Sequence, residues 1–238
     1  MTKLRFAALF EDAAALWRTN RDLLLAIAGV FYLLPILALL MFVPAPRLAG
    51  LQPDAQRDAI LAWAANWPWF LIGSAVQLIG TVAILTLLLT PGRISLRDAL
   101  ILAVRRIVPL FGLWSMVSLV CFAGFFPLVI PGLYLLGRTF LAIPISVAER
   151  SRLFPAFVAS IERTRGHGWM IAAAYMTVFL ANFMVSNLLA PLLDAAGAGS
   201  PVLSGVVLVL VAGAGALAAL ATTLVQASAY RGLTRQGM

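Results

Sequence analysis

Leu23-Leu24-Leu25-Ala26-Ile27-Ala28 carries no polar side chain and no polar–apolar alternation, and it lies inside an apolar run at about 22–43. Crossing the hydrocarbon core of a bilayer takes roughly 20 residues of helix. A lipid-exposed backbone must satisfy its own N–H and C=O groups, so a run of this kind is a helix. The other spanning solution, a β-barrel, uses strands that alternate polar and apolar residues, and this stretch does not. Five more such runs lie at about 67–90, 107–127, 129–148, 169–190 and 202–229. The expected fold is an all-α polytopic membrane helical bundle. It forms a single integral membrane domain over 1–238 with six transmembrane helices.

Composition agrees. Of 238 residues, 63% are apolar and 11% are charged, with a mean hydropathy of +1.01. Soluble domains sit near 45–50% apolar and about 25% charged. Too little polar surface exists to cover a water-exposed globule, which excludes a soluble enzyme, a nucleic-acid-binding module and a disordered tail. One cysteine, Cys121, rules out an intrachain disulfide, and one histidine, His167, rules out a His-based metal cluster within the chain. No metal site, cofactor or nucleic-acid partner is expected.

The connections sort by charge. Lys3, Arg5, Arg18 and Arg21 precede the first run, and Arg93, Arg97, Arg105 and Arg106 lie between the second and third. Arg150, Arg152, Arg163 and Arg165 lie between the fourth and fifth, and Arg231 and Arg235 follow the sixth. One side thus holds 14 of the 17 basic residues, while the other holds Arg47 and Arg57, offset by Asp54 and Asp58. The positive-inside rule then predicts that both termini are cytoplasmic. A signal peptide is the competing reading of the start. Its apolar segment would be shorter and would follow a shorter basic segment, so a retained first span is expected. Trp63, Trp67 and Trp69, with Trp17 and Trp169, read as interfacial belts.

Three inner segments follow helical spacing. Phe6, Leu9, Phe10, Ala13, Leu16 and Trp17 form one apolar stripe, and Leu96, Leu100, Ala103, Val104 and Ile107 form a second. Phe154, Phe157, Val158 and Ile161 form the third. Each predicts a cytoplasmic-side amphipathic helix that feeds a transmembrane hairpin. Ser95 and Asp98, after the Pro91-Gly92 break, read as a helix start. The pattern suggests a threefold internal repeat with units of about 1–90, 91–148 and 149–238. Taking Arg18, Arg105 and Arg163 as equivalent gives intervals of 87 and 58, the longer one containing the outer segment 44–66. The competing reading is that any inward-looping membrane protein places Arg-rich amphipathic segments at its inner surface.

Arg138 is the one basic residue inside a run, between Pro131-Gly132 and Pro144. A charge at mid-helix costs about 2.5–3.5 kcal/mol on insertion scales and calls for a partner or a wet path. The candidate acids are Asp194 and Glu149. Two readings stand: Arg138 binds an anionic headgroup or polar substrate, or it caps broken carbonyls near Pro144 or snorkels outward. Arg163, Arg165 and His167 extend the candidate anion site at the inner edge, with His167 read alternatively as an interfacial cap residue. Ser74, Gln77, Asn182, Asn187 and Gln226 are polar within the runs. They either line a cavity or bond across helices. Ala212–Ala216, with Gly213 and Gly215, read as packing or oligomerisation. Cys121 lies in an apolar run, where a thiol is inert. No nucleophile–base pair, phosphate-cradling glycine loop, HExxH or CxxC pattern appears, so no catalytic residue is assigned.

Pro131-Gly132, Arg138, Pro144 and Glu149, followed by Ala156, Ser160, Thr164, Gly166 and Trp169, form a pattern over about 40 residues. It resembles the membrane domain attached to some glycerophosphoryl diester phosphodiesterases and related bacterial multi-pass proteins. The resemblance implies a bacterial inner-membrane protein. It does not carry over the phosphodiesterase chemistry, which belongs to a separate soluble domain whose acidic metal ligands this chain lacks. The expected function is a non-catalytic membrane scaffold or accessory protein that organises anionic lipid headgroups, protein partners or a homo-oligomer. A small transporter or channel for an anionic lipid or solute is the alternative.

Overall fold

The computed structural model describes residues 6–46, 48, 50–90, 92, 94–125, 129–197 and 201–236, without the side chains of 193–197, 201, 235 and 236. Lys3, Arg5, Arg47, Pro91 and Arg93, and the side chains of Asp194 and Arg235, lie outside the described residues. No strand occurs among the described residues. The chain is an all-α multi-pass membrane bundle. Among the described residues, six stretches are long and apolar enough to cross a bilayer: Phe6–Phe42, Trp67–Leu89, Ile107–Phe125, Val129–Ala148, Gly168–Leu192 and Val202–Thr234.

The first stretch is α1 (Phe6–Ala28), a π-helical turn (Gly29–Leu33) and α2 (Leu34–Phe42). Pro35 has no N–H to give the Phe31 carbonyl, and its ring crowds that carbonyl, so the ladder widens here. The Leu34 N–H accordingly reaches Gly29 O. The outer segment forms a helix, α3 (Pro53–Ala64), with proline in its first turn and Asp54 at its positive end. Next come α4 (Trp67–Leu89), α5 (Leu96–Arg105) and α6 (Ile107–Phe125). Ser95 caps α5, accepting from the Asp98 N–H at 3.1 Å and donating to the Asp98 carboxylate at 2.6 Å.

The run at 129–148 is two helices, α7 (Val129–Thr139) and α8 (Ala142–Ala148). Pro144 cannot donate to the Phe140 carbonyl four residues back, and the helix breaks there. The chain closes with α9 (Leu153–Arg163), α10 (Gly168–Gly197) and α11 (Pro201–Gln236).

A residue with ψ near zero kinks α1 at Asn20 (φ −129°, ψ 18°) and caps α5 at Arg106 (φ −103°, ψ 7°) and α9 at Thr164 (φ −84°, ψ 4°). After each, the chain enters a long apolar helix. α1 packs against α11, α5 against α4, and α9 against α8. Each of these helices therefore rests on the end of the hairpin before it, with α1 completing the circle on the last. The contacts are made by small or apolar side chains: Leu9, Ala13 and Leu16; Ala99 and Ala103; Ala156 and Ser160 are all buried. The core sits beside these three helices, in Val82–Leu85 of α4, Leu110 and Leu113 of α6, Ile171 and Ala174 of α10, and Leu220, Leu224, Val225, Ala227 and Ala229 of α11. Towards the α10–α11 connection the apolar side chains are exposed, among them Met184, Leu188 and Val202. In a bilayer those surfaces meet lipid.

Candidate functional site

Arg138 lies in the last turn of α7, where the broken ladder frees backbone carbonyls. Its guanidinium crosses to α9, donating from Nη2 to Ile161 O at 2.5 Å and from Nη1 to the Tyr134 hydroxyl at 3.1 Å. In return, Ser160 Oγ and Thr164 Oγ1 donate to Arg138 O at 2.8 and 3.1 Å. Two helix ends thus cap one another. The Arg138 Nε is buried without a hydrogen-bond partner among the described residues. The carbonyl that Arg138 caps belongs to α9 rather than to the break near Pro144. Gly137 permits the approach, since a Cβ there would stand 2.1 Å from Gly168 O at the start of α10. Arg138, Ser160 and Thr164 of the sequence pattern thus meet at one helix junction, and Gly137 and Gly168, which that pattern does not include, allow the close approach.

Glu149 takes Arg163 rather than Arg138. Arg163 binds both carboxylate oxygens, through Nη1 to Oε1 and through Nη2 to Oε2 at 3.0 Å, and Tyr230 of α11 donates to Oε1 at 2.9 Å. Partial burial pushes the Glu149 carboxyl up, but the Arg163 and Tyr230 hydrogen bonds and the Arg163 charge together outweigh it and hold it below the usual glutamate range. Arg106 closes the same corner, donating to Ser146 O at 3.2 Å and Arg150 O at 3.0 Å at the end of α8. Arg150 itself has φ 50°, and its amide group turns the chain between α8 and α9.

The other candidates separate. Arg165 is exposed, and its backbone N–H bonds Glu162 O at 3.1 Å. His167 precedes α10, with its N–H on Thr164 O at 2.9 Å, its carbonyl accepting from Ile171 at 3.1 Å, and its Nδ1 buried without a partner. No hydrogen bond joins the Arg165 and His167 side chains. Asn187 donates to Phe183 O of its own helix at 2.8 Å, and Asn182 Oδ1 is buried and unpaired among the described residues. Cys121 lies 3.6 Å from Thr139 Oγ1.

Ser74, Gln77 and Gln226 do converge. α4, α6, α7, α10 and α11 touch one another in a closed ring, and the buried α8 reaches in from one end. A cavity of about 320 Å³ lies among them, lined by Tyr32, Ser74, Gln77, Thr81, Trp114, Tyr175, Thr222, Thr223 and Gln226, with Ile143 of α8 and other apolar residues. Tyr32 enters from the π-helical turn, where its hydroxyl lies 3.0 Å from Thr81 Oγ1 and 2.9 Å from Thr223 Oγ1. Gln226 donates to the Phe140 carbonyl at 3.5 Å, the group that Pro144 leaves unmatched. The Gln77 amide makes no hydrogen bond to a described residue. Thr81, Thr222 and Thr223 escape a search for unusual intramembrane polarity, because hydroxyls that bond back to their own helix raise no signal in sequence, and Tyr32 escapes it because its ring is apolar apart from one hydroxyl. Among the described residues, no three His, Cys, Asp or Glu side chains gather. No known protein family, curated protein or solved structure matches this chain.

Proposed function

We propose that the chain is a non-catalytic scaffold of a bacterial inner membrane, with both termini in the cytoplasm. It gathers anionic headgroups against its inner face and offers that face to protein partners or to a second copy. The supporting observation is how the arginines divide. Arg106, Arg138 and Arg163 are engaged by backbone carbonyls, Tyr134 and Glu149 of the same chain. Arg18, Arg97, Arg105, Arg152 and Arg165 are exposed and make no ion pair with a described residue. A basic side chain near an anionic leaflet contributes roughly 1 kcal/mol. Phe154 and Val158 of α9, and Ile101 and Val104 of α5, are exposed apolar neighbours of those charges and suit the acyl boundary.

The test is to replace Arg97, Arg105, Arg152 and Arg165 together by Gln, extract the protein with its lipid and quantify what is retained. Loss of phosphatidylglycerol and cardiolipin at constant zwitterionic lipid is expected; unchanged anionic lipid defeats the reading. Selective flux of an anionic lipid or solute in proteoliposomes would replace the scaffold with the transporter.

A further inference from the structure

We infer that the cavity between α4, α6, α8, α10 and α11 is a binding site for an uncharged, hydroxyl-rich group: a free polyol or the neutral polar head of a lipid. This goes beyond the scaffold reading and does not depend on it.

Three observations carry it. The first is what the wall is made of. Tyr32, Ser74, Gln77, Thr81, Thr222, Thr223 and Gln226 contribute hydroxyls and carboxamides, and no Asp, Glu, Lys, Arg or His among the described residues lines the space. An ion moved here from water would lose its hydration and meet no opposite charge, a cost of several kcal/mol. A neutral group that both donates and accepts would instead be matched by side chains that do the same.

The second is unfilled hydrogen-bonding capacity. Thr81 and Thr223 satisfy their hydroxyl donors within their own helices, on Gln77 O at 3.1 Å and Ala219 O at 2.9 Å, and the single Tyr32 proton can go to only one of their oxygens, so the other remains an open acceptor. The Gln77 carboxamide faces the cavity with no bond to a described residue. Polar groups inside a membrane protein are costly to leave unmatched, and a ligand or water must take these up.

The third is an aromatic track. Tyr175 lines the cavity, and Phe179 and Phe183 follow on the same face of α10, one and two turns on. Their rings stack in succession with centroids 6.3 Å apart at 19° and 16°. Phe179 and Phe183 are 47% and 54% exposed, so the track opens onto the surface that meets lipid. They lead from the polar cavity towards the end of the bundle where the apolar side chains are open. At about 320 Å³ the cavity is within the range of small-molecule sites.

The experiment uses the full chain in nanodiscs and isothermal titration with three probes: sorbitol, gluconate (sorbitol's carbon count with one carboxylate) and dioctanoylglycerol. Saturable binding of sorbitol or dioctanoylglycerol, with gluconate at least tenfold weaker than sorbitol when sorbitol binds, is expected. Sorbitol alone identifies a free polyol, dioctanoylglycerol alone a lipid head, and both together the shared chemistry. Gln77→Leu and Thr222→Val keep the volume and break no bond between helices, so each should fold with an unchanged Tm and weaken binding at least tenfold. Saturable binding by neither neutral probe overturns the inference. So does gluconate binding as tightly as sorbitol, or full affinity in both folded variants.

Discussion

Gly137 and Arg138 show how adjacent residues set one helix junction. A methyl group at Gly137 would collide with Gly168 O, which is backbone and cannot rotate away. Gly137→Ala should therefore lower stability by about 1–3 kcal/mol, read as a fall in Tm in nanodiscs. Arg138 donates to two acceptors 27 residues apart in sequence, Tyr134 and Ile161, through the two arms of one planar fork. Lys carries a single nitrogen and reaches one of them. Arg138→Leu strips the partner from a buried-side carbonyl, which costs about 1–3 kcal/mol. The expected order of Tm is Arg above Lys above Leu, with co-purified anionic lipid equal in all three. Anionic lipid lost in step with the charge at 138 would instead make Arg138 a headgroup site. The sequence marks Arg138 as unusual, yet its partner is a backbone carbonyl, and every residue type carries one.

At the scale of elements, the α7–α8 break follows from one proline and is completed by one glutamine. Gln226→Leu should destabilise the chain by about 1 kcal/mol, the net value of a typical hydrogen bond. In a Pro144→Ala background, where residue 144 regains an N–H for Phe140 O, the same substitution should cost less. A double-mutant cycle in denaturant or heat measures that coupling, and strict additivity would dissociate Gln226 from the break. The α8–α9 turn adds a pH dependence. The Glu149 carboxyl is held below its ordinary value in the folded chain. Its contribution is thus fully present above the unfolded value, about 4.3, and disappears as pH falls through the folded one. Wild type should exceed Glu149→Gln in Tm at neutral pH, and the two curves should converge in acid. The helical stripes and the Ser95 cap are legible in sequence because they depend on residues three or four apart. The α3 helix in the outer segment is not, since no long apolar run announces it.

At the scale of the molecule, α1, α5 and α9 close a circle, each resting on the preceding hairpin and α1 on the last. Charge asymmetry sets the expected orientation. Reporter fusions should read cytoplasmic near residues 95, 155 and 235 and external near 55 and 196, and one clearly reversed reporter would remove the topology. The circle also explains where the core lies. Three helices wedged against one end pack that end tightly, while the opposite ends of α6, α10 and α11 keep apolar side chains exposed for lipid. The cavity sits between the two regimes.

Sequence alone determines that this chain crosses the membrane, in which six stretches, and that three short apolar stripes precede the hairpins. These properties are one-dimensional: bilayer thickness fixes a length, hydrocarbon forbids an unpaired backbone, and the helix repeats every 3.6 residues. Tertiary structure alone decides which arginines are engaged and which are open, that Gln226 meets Phe140, and that Tyr32 meets Thr223. Those partners stand 86 and 191 residues apart. Hydrogen bonds at such separations depend on which helix ends come to face each other. Side chains as common as threonine and tyrosine give no advance sign that they will line a common cavity.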